Sequence, residues 1–228
     1  GEFFFWASHD DFRSPNFISS CLKRLMEDPK AVLCSPKLEF KVPSEPKVIW
    51  TADLGTFHNK KSLVSRYRET LANFPAAAIY GLYRSSALIQ TDMLKKCIAS
   101  DLIFIQNLSM YGTFIHSNDC TLTYVGRESW NSVKQDYFTF YGSREIPRFF
   151  SPFLSVFATQ IKVIRDSKLK WFSKLELFVV LFVYQTTQFL KKTLLKVIKL
   201  VSPKKVREPI VMFLYWKYFH SKNVQAKE

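Results

Sequence analysis

The chain has 228 residues, 47% of them apolar and 16% aromatic, which is enough apolar surface for a packed core and excludes an intrinsically disordered chain. Six Gly and ten Pro exclude collagen-like or linker-like composition. The formal net charge of +14 calls for an anionic partner or surface, with nucleic acid and the cytoplasmic face of a membrane as the two usual choices.

Residues 2–8 (EFFFWAS) read as a short buried strand that runs into the acidic pair Asp10-Asp11. Ser14 and Pro15 are suited to open a helix as N-cap and first residue, with Phe17, Ile18, Cys21, Leu22 and Leu25 at helical spacing and Asp28-Pro29 as the stop. Residues 31–34 (AVLC) read as a second buried strand, and 42–59, with Pro43 and Pro46, as a loop or insertion. A helix is expected over 61–73, a strand over 76–83 (AAAIYGLY) and a short helix near 86–91. Residues 101–111 (DLIFIQNLSMY) form a helical pattern, with Ser100 as N-cap and Gly112 as the stop. Two short strands follow at 113–115 and 120–125. Strands alternating with helices of this length predict an α/β fold. Beyond Gly142 the character changes: 169–201 is one long helical pattern, followed after Pro203 and Pro209 by a second apolar run at 210–216. We therefore expect one unit at 1–142 and a basic, apolar helical tail at 143–228.

The four cysteines, Cys21, Cys34, Cys97 and Cys120, form no CxxC pair and have no His at zinc-ligand spacing, so buried free thiols in a reducing compartment are expected. No Walker A, GxGxxG, GxSxG or HExxH motif is present. The chemically suggestive element is Ser8-His9-Asp10-Asp11 at the end of its strand. Adjacent carboxylates there can hold a divalent cation, and the cation a diphosphate. The same residues also suit a solvated acidic turn.

The segment GEFFFWASHDDFRSPNFISSCLKRLMEDPKAVLC resembles the central part of family-2 glycosyltransferases: a Gly, a hydrophobic strand, an acidic DxD-type cluster, an aromatic, a Pro, and a helix ending in a Pro before the next strand. IYGLYRSSAL followed by SDLIFIQNLSMYGTF resembles the later strand and the acid-led helix of the same family. The resemblance spans roughly residues 1–130 in matching order. It implies the later part of a GT-A mixed sheet with its helices, the first nucleotide-binding strands lying upstream of Gly1, and poor folding and no activity for the chain alone. It implies Asp10 and Asp11 as metal and donor-diphosphate contacts (Mg2+ or Mn2+), with His9 between them and the usual first acid, and Asp101 as the catalytic base. Tyr80, Tyr83 and Arg84 become acceptor-site candidates. Ser8 stands where the family's first acid is expected, which keeps a non-catalytic relative in view. The implied activity is inverting sugar transfer from a nucleotide-sugar donor to a glycan or lipid-linked acceptor. Trp6 is read as core; Arg127 and Trp130 are placed on a loop that could close over the donor.

The charge is unevenly spread. Residues 1–148 hold 18 Lys and Arg against 15 Asp and Glu, whereas 149–228 hold 15 against 4, so +11 of the excess lies in the tail. Lys191, Lys192, Lys196 and Lys199 alternate there with Leu, Val and Ile. A 14-residue uncharged stretch at 177–190 is short for a bilayer span, which takes about 20 residues. Residues 169–222 are therefore expected either to lie in the headgroup layer of an anionic membrane, placing a cytoplasmic enzyme on the inner face, or to pack as a helical appendage. A basic nucleic-acid-binding protein is the rival class; the long apolar runs and the lack of a known nucleic-acid-binding motif weigh against it.

Overall fold

The structure, a computed structural model, describes residues 1–44, 47–52, 62–72, 76–126, 137–139, 141–142, 151–201 and 224–226. The expected features at Arg127, Trp130 and 210–216, and much of the 42–59 loop, lie outside the described residues.

The centre of the molecule is a mixed sheet. Strand β3 (Ala31–Lys41) runs parallel to β6 (Thr113–Val125) along nearly its whole length, with register shifts between Ala31 and Leu33 and between Pro36 and Lys37. The second shift falls where Pro36, lacking an N–H, interrupts the ladder. On its other edge β3 pairs antiparallel with β5 (Leu82–Arg84) near its start and with β4 (Trp50–Ala52) near its end. Strand β1 (Phe3–Phe4) adds to β5, and β2 (Phe12–Arg13) adds antiparallel to β6. A last short strand, β7 (Val224–Ala226), pairs with β4.

Helix α1 (Phe17–Glu27) covers one face of the sheet, with Phe17, Cys21 and Leu25 buried as their spacing predicts. It begins at Phe17, after Asn16, because Ser14 is engaged elsewhere: its Oγ accepts the N–H of Thr121 at 3.1 Å, clamping the turn to β6. The other face is covered by α4 (Ser100–Leu108) and a single-turn 3-10 helix (Ala76–Tyr80). A short helix, α3 (Ser85–Leu88), follows β5.

Helix α4 is buried at every residue from Ile103 to Leu108, the polar Gln106 and Asn107 included, as expected of a helix covered on two sides. Phe104, Ile105 and Leu108 face the sheet, while Ile103 joins a second core. That second core is formed with α2 (Leu63–Ala72), α5 (Pro152–Asp166) and α6 (Trp171–Val201). Tyr67, Val163, Ile164, Leu177 and Leu181 fill it. A chain of side-chain amides crosses this layer: Gln160 donates to Gln106 at 2.9 Å and Gln185 donates to Gln160 at 2.8 Å. The appendage is thus stitched to α4, and one face of α6 completes a core.

Further expectations change in detail. The strand expected at 76–83 is a 3-10 turn followed by a three-residue strand. The two strands expected at 113–115 and 120–125 are one strand with an irregular middle. Gly112 does not end α4, which stops at Leu108. It is required instead by close approach: a Cβ there would lie 2.3 Å from Val32 Cγ1 and 2.6 Å from the Lys30 carbonyl oxygen. Helix α5 falls within the helical tail expected at 143–228, and Ser151 and Pro152 give it the start signature read at Ser14-Pro15.

Candidate active site

The topology gathers the chemistry-bearing residues at one edge. Strand β1 runs antiparallel to β5, and β5 antiparallel to β3. The chain leaving β1, residues 5–11, and the residue entering β5, Tyr80, therefore lie towards the carboxyl end of β3. Helix α4 leads back into β6 through a short turn, which puts its N-terminus, with Asp101, at the carboxyl end of β6. Crevices at the carboxyl ends of parallel strands are the usual ligand sites of α/β sheets.

Asp11 is held there by pairing over a long sequence distance. Phe12 and Arg13 pair with Thr123 and Leu122, and Asp11 Oδ1 accepts the backbone N–H of Val125 at 3.0 Å. Its Oδ2 is buried and receives no hydrogen bond from any described residue. Burial raises the Asp11 carboxyl above its ordinary range, and the neighbouring Asp10 charge adds to this; the Val125 N–H, the Ser8 hydroxyl and Arg13 offset it in part. Asp10 is more exposed and accepts a hydrogen bond from the Ser8 hydroxyl. His9 stands almost fully in solvent, with Nδ1 3.7 Å from Asp10.

Tyr80 is the hub. Its ring stacks on Tyr124 at 6.3 Å, and Tyr124 stacks on Phe40 at 5.8 Å, making an aromatic ladder along the strand ends. Burial raises the Tyr80 phenol above its ordinary value, and the charges of Asp11, Asp10 and Asp101 raise it further, together with Tyr124. A phenol so placed keeps its proton and can donate it in a hydrogen bond. Tyr124 was not singled out in the sequence; the alternation of Leu122 and Tyr124 on one face of the strand is the signal that could have found it.

Asp101 lies in the first turn of α4, where its Oδ1 accepts the N–H of Leu102 at 2.8 Å. Ser100 is not the N-cap. That position belongs to Ala99 in the left-handed region, φ 56 and ψ 39. A residue with a Cβ is strained there, and such strain concentrates at functional sites.

The remaining acceptor-site candidates separate from this edge. Tyr83 is fully buried against Trp6 and Phe104, and its hydroxyl donates to the Ile79 carbonyl. Trp6 packs on the same core, as its aromatic context suggests. Arg84 points to the opposite face of the sheet, donating to the carbonyls of Leu25 at 2.7 Å and Ala31 at 3.2 Å and lying over the Phe3 ring. Both side chains are therefore structural where they stand. Alternation along β5 sends Tyr83 and Arg84 to different faces.

Among the described residues no group of three or more His, Cys, Asp or Glu gathers as a metal cluster. Asp10 and Asp11 nonetheless fit a Mg2+-type ion, which keeps several waters and takes one or two carboxylates besides substrate phosphates. The buried, undonated Oδ2 of Asp11 is an oxygen that a cation would satisfy.

No family model and no curated protein matches the chain. Among solved structures, the crystal structure of S. aureus TarS 1-349 is similar at a TM-score of 0.45 and 14% identity, over 82% of this chain and 48% of that one. The chain thus spans about half the length of that structure.

Proposed function

We propose that the chain is the later part of a GT-A catalytic domain that transfers a sugar from a nucleotide-sugar donor to a hydroxyl of a glycan or lipid-linked acceptor, with inversion. The observation that supports this reading is the shared edge: Asp11 tied to Val125, Asp10 beside it, and Asp101 in the first turn of α4 lie towards the carboxyl ends of β3 and β6. In the reaction the acceptor oxygen attacks the anomeric carbon and the bond from that carbon to the diphosphate oxygen breaks. The acceptor proton passes to Asp101. Asp10 and Asp11 would hold a divalent cation, which when bound supplies positive charge for the departing diphosphate. Tyr80, protonated, donates a hydrogen bond that orients donor or acceptor.

The test is Asp101→Asn in the full-length protein. Transfer should fall by about 10²–10⁴-fold while magnesium-dependent nucleoside diphosphate binding, read by calorimetry, persists. Transfer near the unsubstituted rate overturns the assignment of the base. A second reading, a non-catalytic relative, draws on Ser8, which stands at the expected acid and engages Asp10. It predicts no magnesium-dependent diphosphate binding at all.

A further inference from the structure

Helix α6 has two faces with different fates. Leu177 and Leu181 turn inward onto Tyr67, Val163 and Ile164. On the other side Trp171, Leu175, Val179, Phe182 and Phe189 recur every three to seven residues, with Leu190 next to the last, each more than half exposed. Thr186 and Thr193, both exposed, occupy the same stripe. A continuous apolar stripe of this length is rare on a freely solvated surface and marks a contact. Among the described residues no helix is long and apolar enough to cross a membrane.

We propose that this outward face of α6 docks in the headgroup layer of an anionic lipid bilayer, with the helix lying flat and the domain held above it by Leu177 and Leu181. Charge selects the occupant. The segment 149–228 carries 15 Lys and Arg against 4 Asp and Glu, so a second copy laid on the stripe would bring like charge against like, whereas anionic lipid is attracted. The basic residues are also placed for it. Lys168 and Lys170 are exposed immediately before the stripe. Trp171 and Phe172, their rings stacked at 3.6 Å, stand exposed at the start of the helix, an aromatic anchor of the kind that settles at headgroup level. Arg165, also exposed, is held by Asp166. This docking surface is independent of the sugar-transfer chemistry.

The experiment is flotation of the full chain with vesicles of phosphatidylcholine alone or phosphatidylcholine mixed with phosphatidylglycerol. The chain should float with the anionic vesicles at low salt, lose that binding as salt rises, and stay down with neutral vesicles. Trp171→Ser with Phe182→Ser should cut the bound fraction by about tenfold or more with an unchanged urea midpoint. Should that pair fail to fold, Lys168→Glu with Lys170→Glu, exposed and outside the core, tests the same contact. No flotation at low salt overturns the proposal, as does flotation that neither variant weakens. A dimer that the serine pair converts to monomer, without any vesicle binding, assigns the stripe to a second copy instead.

Discussion

Asp11 and Val125, 114 positions apart, are joined by a 3.0 Å hydrogen bond from the backbone N–H of the strand to the carboxylate. It fixes one oxygen of Asp11 and leaves the other buried without a donor from the described residues. Asp11→Asn keeps the oxygen that Val125 uses and removes the charge. Nucleoside diphosphate binding in magnesium should weaken by at least about tenfold, the loss of one charge-assisted contact.

The same variant has a pH signature. Burial and Asp10 raise the Asp11 carboxyl in the folded state above its ordinary 3.8, so the folded chain holds this proton more tightly than the unfolded one. The stability this provides is complete below the unfolded value and is lost as pH rises through the raised value. Asparagine has no such loss. The urea midpoint of Asp11→Asn relative to the unsubstituted chain should therefore improve as pH rises from the ordinary carboxylate range towards neutrality. A difference that is flat in pH, or that worsens, contradicts the assignment.

Tyr80 and Tyr83, three residues apart, should respond oppositely to loss of the hydroxyl. Tyr83→Phe removes a buried bond to the Ile79 carbonyl and should cost about 1–1.5 kcal/mol in urea unfolding, with KM unchanged. Tyr80→Phe keeps the stack on Tyr124, so stability should hold within about 0.5 kcal/mol. Under the proposed function its kcat/KM should drop by about tenfold, the loss of one hydrogen bond to donor or acceptor.

This division shows what the sequence could convey. Helical spacing made α1 legible, including Phe17, Cys21 and Leu25 and the stop at Asp28-Pro29. The run at 101–111 was legible as a helix because every turn of it carries apolar residues, although the left-handed Ala99 before it has no sequence signal. YGLYR could not be resolved from its letters. A 3-10 turn and a short strand look alike over eight apolar residues, and only the pairing of Tyr83 with Leu33 decides which tyrosine goes inside. Strand β2, two residues long, is below any periodicity, yet it sets Asp11 in place.

Gln160 should prove to be a structural hinge pin between the sheet domain and its helical layer. Gln160→Leu leaves the Gln106 carbonyl oxygen and the Gln185 amide without their partners, and Gln106 is buried. A loss of about 1–3 kcal/mol is expected, measured by urea unfolding. A neutral result would mean that apolar packing alone holds α5 to α4.

Gly112→Ala should be costly although it lies in a turn. The new methyl would meet Val32 and the Lys30 carbonyl oxygen at under 3 Å, so the β6 entry must move away from β3. Overpacking of this kind costs about 1–3 kcal/mol, read as a lowered thermal midpoint.

The pairing of Phe12 and Arg13 with Leu122 and Thr123 has a consequence in time. Ribosomal synthesis delivers Asp11 more than a hundred residues before the strand that positions it. Until β6 emerges and lies parallel to β3, the acidic turn has no fixed partner, and closing so large a loop is entropically slow. The candidate site is therefore one of the last features to mature, and a nascent chain lacks the proposed diphosphate site until its sheet is finished.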